Sequence, residues 1–155
     1  MIDPDLRAFI EGGVGIHIGS RGSRLEPNGA RVTAVRVEED LLHLLVYVPD
    51  VAASRVLPDL KTNGAAAVVF ARPIDDRACQ IKGIFVGSRP AADEERGHVE
   101  QQWDAFLTSL EQIGIPRAGA AGWIIWPSTV IRLRTTALFE QTPGPQAGAQ
   151  VVPRP

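Results

Sequence analysis

Residues 27–48 read Pro27-Asn28-Gly29-Ala30-Arg31-Val32-Thr33-Ala34-Val35-Arg36-Val37, then Glu38-Glu39-Asp40, then Leu41-Leu42-His43-Leu44-Leu45-Val46-Tyr47-Val48. This run decides the fold. Residues 31–37 alternate as a strand with one wet face, setting Val32, Ala34 and Val35 against Arg31, Thr33 and Arg36. Residues 41–48 are almost continuously apolar, which predicts a strand covered on both faces. The three acidic residues between them make a turn, so the pair is expected as an antiparallel hairpin. A second pair follows: Ala65-Ala66-Ala67-Val68-Val69-Phe70-Ala71 and residues 78–87, joined by Arg72-Pro73-Ile74-Asp75-Asp76-Arg77.

Working outward, Asp3-Pro4 begins a short helix whose apolar side is Leu6, Phe9 and Ile10. Residues 15–19 predict a short strand, and residues 20–23 a polar turn. A short helical segment starts near Asp50 and carries Ser54-Arg55. From residue 91 to 113 the period becomes helical, with Val99, Trp103, Phe106, Leu107, Leu110 and Ile113 on one side. Asp93 or a neighbour caps that helix, and Gly114 with Pro116 stops it. Residues 123–134 read as a final strand interrupted at Pro127 and resuming toward Leu138-Phe139. Residues 142–155 are Pro/Gly-rich and linker-like, so the domain is expected over 1–141 with a flexible tail after it. About six strands, mostly in hairpins, with two or three flanking helices, make an α+β, mainly β, domain on an antiparallel sheet. Repeated βαβ units are missing, which argues against a doubly wound sheet.

At 155 residues and 45% apolar content the chain is long enough for one real core. Its net charge of −2 gives no general attraction to nucleic acid or an anionic membrane. Cys79 stands alone, so neither an internal disulfide nor a cysteine metal cluster is available within one chain. No segment approaches the ~18–20 apolar residues of a membrane span. The start Met1-Ile2-Asp3-Pro4-Asp5 is acidic where a signal peptide is basic, so the expectation is a soluble, unprocessed, cytoplasmic protein.

The obvious motifs give little. Gly12, Gly13, Gly15 and Gly19 miss the dinucleotide spacing and precede a strand instead of following one. Ser20 lacks the first glycine of a nucleophile elbow. His17, His43 and His98 lie on different elements without ligand spacing; His43 reads as a satisfied core histidine, and no metal site is expected. Carboxylates concentrate at solvated positions, in the turn 38–40 and on the helix after 92, and no catalytic residue is identified. The basic set Arg31, Arg36, Arg55, Arg72 and Lys82 remains. Ser54-Arg55, close after a helix start near Asp50, offers the hydroxyl, amides and guanidinium that a phosphate takes. Taken alone, the same residues also fit ordinary surface charge.

The order of these elements over residues 10–135 resembles the FMN-binding split β-barrel of the pyridoxamine 5'-phosphate oxidase superfamily. In that family a strand with basic ends runs along the flavin, as Arg31 to Arg36 do here in length and ends. The next strand ends in an aromatic residue, similar to Tyr47, and a Ser-Arg-Lys triplet then grips the phosphate. Ser54-Arg55 resembles that triplet, with Val56 in place of the lysine. Gln80, with Lys82 and Gly83, is similar to the element that brings a glutamine to the flavin; its offset of two residues keeps it on the same face. The resemblance implies an antiparallel split barrel with flanking helices and FMN as cofactor. It also implies a homodimer with the cofactor at the subunit interface, and flavin-dependent oxidoreductase activity on a small molecule. Cofactor contacts would come from Arg31, Thr33, Ser54, Arg55, Gln80 and Lys82. The C-terminal Trp-Arg-Leu signature of the true oxidases is missing around Arg132-Leu133-Arg134, so oxidation of pyridoxamine phosphate itself is not implied. Related barrels also hold a deazaflavin or haem, and a non-catalytic flavin carrier or dimeric interaction module shares the same frame.

Overall fold

The computed structural model describes residues 2–151. Helix α1 (Pro4–Ile10) starts as its sequence dictates: the Asp3 carboxylate accepts the Leu6 amide at 2.7 Å, and Pro4 opens the first turn. Strands β1 (Gly15–Arg21), β2 (Pro27–Val32), β3 (Ala34–Val37) and β4 (His43–Pro49) follow. Two short helices, α2 (Asp50–Ala53) and α3 (Leu57–Asn63), replace the single segment expected after Asp50. Then come β5 (Ala65–Ala71), β6 (Ala78–Pro90), α4 (Arg96–Gln112), β7 (Ser128–Glu140) and β8 (Gln150–Val151). All the strands of the path β2-β1-β5-β6-β7-β4-β3 are antiparallel to their neighbours, and β8 pairs with β7.

The two ends of that path, β2 and β3, are one run of chain separated only by Thr33. Its first half pairs with β1 and its second with β4, which curls the sheet into the half-barrel. Thr33 makes the handover: its amide and its hydroxyl both donate to the Tyr47 carbonyl, at 3.0 and 3.1 Å. The alternation slips by one residue there. Ala30 and Val32 point into the barrel, and so do Val35 and Val37, whereas Ala34 belongs to an outer cluster with Tyr47, Val99 and Val130. The slip explains why residues 31–37 alternate imperfectly. It also puts Arg31 and Arg36, five apart, on the same outer side, which a regular strand forbids.

The barrel interior is one apolar cluster, with Ile16, Ile18, Val68, Phe70, Leu44, Val46, Ile131 and Leu133 at its centre. Helices α2 and α3 fill the end at which β4 finishes, where Asp59 accepts hydrogen bonds from Ser20 and Asn28 at 2.8 Å. Helix α4 lies on the outer face along β3. Gln102 fastens it there, accepting the Val35 amide at 2.6 Å and donating to the Ile10 carbonyl at 3.0 Å.

Four further expectations change. Residues 123–126 are not a strand; Pro127 has no amide for the ladder, and β7 begins only at Ser128. Ile113 is 47% exposed because α4 has ended before it. His43 is not in the core: it begins β4 beside the turn, its Nδ1 against the Asp40 carboxylate and 3.8 Å from Glu38. The chain after Gln141 turns back to the sheet, with Gln150 and Val151 pairing with Phe139 and Leu138 and the Gly148 amide donating to Glu140 at 2.7 Å. Pro143 and Pro145 stay in the turn, and Gln150 and Val151, which rejoin the sheet, have amides to give. The remainder of the expected tail, 152–155, lies outside the described residues.

Candidate functional site on the outer face of the barrel

Strand parity and register together gather part of the expected site. Arg31 on β2 lies opposite His17 on β1, His17 opposite Val69 on β5, Val69 opposite Gln80 on β6, and Gln80 opposite Phe139 on β7. All five project outward, because their neighbours Ala30, Ile16, Ile18, Val68, Phe70, Cys79 and Ile81 fill the interior. With ~4.8 Å between strands, Arg31 and Gln80 stand three strands, roughly 14 Å, apart. The next outward row is Gly29, Gly19, Ala67 and Lys82. Its first three members have at most a methyl group, so a nearly bare strip of backbone lies between the Arg31–Gln80 row and the open face, with Lys82 at its end.

Arg31, Gln80 and Lys82 thus share one face. Lys82 Nζ rests 4.7 Å above the Phe139 ring. The Arg31 guanidinium stacks on Trp123 at 4.0 Å and reaches Phe106 at 5.8 Å. Thr33 is buried, its hydroxyl already given to the Tyr47 carbonyl, and takes no place on this face. Ser54 and Arg55 are exposed at the end of α2, not at its start. The amides of Asp50, Arg55 and Val56 already donate to Pro127, Ala52 and Ala53 carbonyls, at 3.0, 3.1 and 3.1 Å. What Ser54-Arg55 offers an anion is its hydroxyl and guanidinium. No hydrogen bond or ion pair among the described residues ties it to the Arg31 row.

The basic residues divide by their partners. Arg72 is held by Asp75, Arg89 by Glu95 and Arg132 by Glu38. Arg31, Arg36, Arg55 and Lys82 form no ion pair among the described residues, so their charge is available to an external anion. His17 is held below the ordinary histidine pKa, first by burial of part of its ring and then by the Arg31 charge. It is therefore a neutral imidazole near pH 7.

Tyr47, matched to the strand-end aromatic of the resembling family, is fully buried by the chain's own α4 segment. Its hydroxyl donates to Glu95 at 2.8 Å, and Arg89 holds the same carboxylate with two bonds of 2.6 and 2.9 Å. The Arg89 hydrogen bonds are the main reason the Glu95 carboxyl falls to about 2; burial first, then the bond to Glu95, raises Tyr47. Glu38, Asp40 and His43 bring ligand atoms within 4.8 Å of one another, a grouping the sequence spacing did not suggest. Each already has partners: Arg132 on Glu38, and the Leu42 and His43 amides on Asp40. Sequence reasoning passed over Glu95 and Arg89 and gave Trp123 no part in the site. Only the proximity of Trp123 to a strand carrying Arg31 could have marked it, and that needs the fold.

No protein-family model matches the sequence, and no curated protein matches it. Solved structures do. An F420 reductase superposes with a TM-score of 0.57 at 16% identity, covering 85% of this chain and 94% of that one. HupZ of Group A Streptococcus gives 0.57 at 13% identity, covering 96% and 100%. An FMN-binding protein from Syntrophomonas wolfei subsp. wolfei gives 0.53 at 9% identity, covering 86% and 81%. At these identities the likeness is one of fold: an antiparallel curled sheet forming a half-barrel with flanking helices, an α+β split barrel. No helix among the described residues is long and apolar enough to cross a membrane.

Proposed function

We propose that this split barrel binds a flavin-type cofactor, FMN or a deazaflavin, on the outer face of β1, β2, β5 and β6, and uses it in oxidoreduction of a small molecule. The observation that carries the reading is the set Arg31, Gln80 and Lys82 on one face, its cations without carboxylate partners among the described residues, beside the bare strip Gly29-Gly19-Ala67. A planar ring needs a surface without protruding side chains, and its anionic tail needs unpaired cations. The donor set fits both demands. FMN-binding protein and F420 reductase are among the names of the folds it matches. Arg55 and Ser54 are the nominated phosphate contacts, with Gln80 and Lys82 nearer the ring.

Bound flavin would supply hydride or electron transfer, while the protein binds it, orients it and limits water around it. The outer face is open in one chain, so a second copy is proposed to cover it and complete the site in a homodimer. Exposed Ile84 and Val86, at 42% and 47%, continue the same side of β6 and give such a contact apolar surface. Haem is the second reading, and one observation favours it: His17, neutral and outward at the centre of the row, has the state an iron ligand requires.

The visible spectrum of purified protein, and of protein reconstituted with FMN, a deazaflavin or hemin, separates these readings. Flavin-type bands in the blue and near-ultraviolet are expected, and addition of NADH or NADPH then distinguishes a reductase from a carrier. A Soret band retained after gel filtration would transfer the proposal to haem. No retained chromophore at all would end it. Light scattering returning one chain mass at micromolar concentration would remove the shared site.

A further inference from the structure

The loop between α4 and β7 holds an aromatic ring in a place that the barrel core does not require. Trp123 is 41% exposed, yet its ring is fixed from two sides. The Trp103 ring lies 5.3 Å away, tilted by 47°, and the Arg31 guanidinium carbon lies 4.0 Å from the Trp123 centroid. Phe106, at 5.8 Å from Arg31, completes the cradle. The Arg31 guanidinium carbon therefore lies over carbon, above the Trp123 ring. Its in-plane N–H groups meet no carboxylate and no carbonyl among the described residues. Burial lowers its pKa, whereas carboxylates raise those of Arg72, Arg89, Arg117 and Arg132.

A guanidinium stacked on one face keeps its donors in the plane of the fork, where they match two oxygens of a carboxylate or phosphate. Stacking sets that plane before a ligand arrives, so less side-chain freedom is lost on binding. His17, directly across the strand pair, adds a neutral imidazole and hence a hydrogen-bonding nitrogen without a second charge. The exposed part of the Trp123 ring stands beside the fork, as a stacking surface for whatever carries the anion.

We propose that Arg31, Trp123 and His17 form a subsite for a planar ligand bearing an oxoanion, with Trp123 as the positioning residue for Arg31. The subsite deepens the cofactor reading and rests on it for its place on the outer face. The oxoanion has two sources, a carboxylate of the substrate or the phosphate of the cofactor.

Calorimetric titration of the full chain with 2-naphthoate, the neutral 2-naphthamide and FMN tests it, for the parent, Arg31→Gln, Trp123→Ala and Trp123→Phe. The parent is expected to prefer naphthoate over naphthamide by about ten-fold or more, the scale of one charge-assisted bidentate contact. Arg31→Gln should erase that preference. Trp123→Ala should lower the preference itself, and Trp123→Phe should recover most of it; a ring that merely stacks or supports the loop would weaken both probes alike. Loss of FMN affinity in Arg31→Gln assigns the oxoanion to the cofactor, and unchanged FMN affinity assigns it to the substrate. The subsite is overturned if the parent binds neither probe or binds both equally, or if Arg31→Gln keeps the preference. A preference unchanged in folded Trp123→Ala overturns it too; should that variant not fold, Trp123→Phe and Arg31→Gln carry the test. Naphthoate binding without FMN binding would leave the subsite standing and remove FMN as the cofactor instead.

Discussion

Gln102→Leu is expected to destabilise the protein by about 2–4 kcal/mol, although it places an apolar residue of similar volume on the buried side of a helix. The Gln102 side chain is 4% exposed and serves two elements at once. Its Oε1 accepts the Val35 amide at 2.6 Å on β3, and its Nε2 donates to the Ile10 carbonyl at 3.0 Å at the end of α1. After substitution both backbone groups stay buried without a partner, at about 1–3 kcal/mol each. Additional apolar burial returns about 1 kcal/mol. For a chain of this size the net loss lowers the melting temperature by roughly 5–15 °C. Gln101→Leu, on the exposed side of the same helix, is the control and should stay within about 0.5 kcal/mol. Urea denaturation followed by circular dichroism measures both variants. A loss under about 1 kcal/mol at unchanged m-value would refute the assignment of Gln102 as the fastening between α4 and the barrel. Because α4 carries Trp103 and Phe106, which support Trp123 and Arg31, the tryptophan emission of Gln102→Leu should shift as well.

The Glu95 carboxyl is depressed from 4.5 to about 2. The folded state therefore binds fewer protons than the unfolded state between those values, and this contribution to stability is complete above about pH 4.5 and fades toward pH 2. Glu95→Gln should flatten that part of the acid unfolding curve, leaving the share of Asp40, which falls in the same window; an unchanged curve would count against the Arg89–Glu95–Tyr47 network. Arg55→Ala should weaken FMN binding roughly ten-fold while the melting temperature holds, with Arg24→Ala, already paired to Glu26, as the control in a flavin titration. Truncation after Gln141 should cost about 1 kcal/mol, or roughly 2–4 °C, because it removes the β8 pairing and the Thr142 hydroxyl from the Ala78 amide; a melting curve identical to the parent would show that the return of the chain contributes nothing.

The hairpins were legible because side-chain alternation reports a wet face directly. Gln80 and Lys82 share a face by parity alone, and the apolar runs at 43–49 and 65–71 could hardly be other than strands. The placement of Arg31 beside them was not legible, since it depends on register across β1 and β5, where Gly19, Ala67 and His17 carry no register signal of their own. Thr33 looked like one more outward position on a strand. Its buried hydroxyl serves the backbone because the strand changes partners there, which is a long-range fact. The helix start at Asp50 was legible, but not that α2 stops at Ala53, which leaves Ser54-Arg55 beyond its end with the Arg55 and Val56 amides already bonded. Gln102 read as one more polar residue on a helix, for nothing in a sequence tells which polar side chain has buried backbone to satisfy. Val151 returned to the sheet against a composition rich in proline and glycine, since two residues with free amides were enough.

The handover at Thr33 also limits how this family of shapes can change in length. Elsewhere the chain has room for inserted or deleted residues, as in the exposed turn at 22–26. Between Gly29 and Arg36 a single added or lost residue reverses the parity of one half of the run relative to the other. Either Arg31 would turn inward and Val32 outward, or Arg36 would exchange with Val35. Each outcome buries an unpaired guanidinium in the barrel and exposes a core valine. Drift in sequence at these positions can be absorbed; drift in length cannot, and an insertion here would have to arrive two residues at a time.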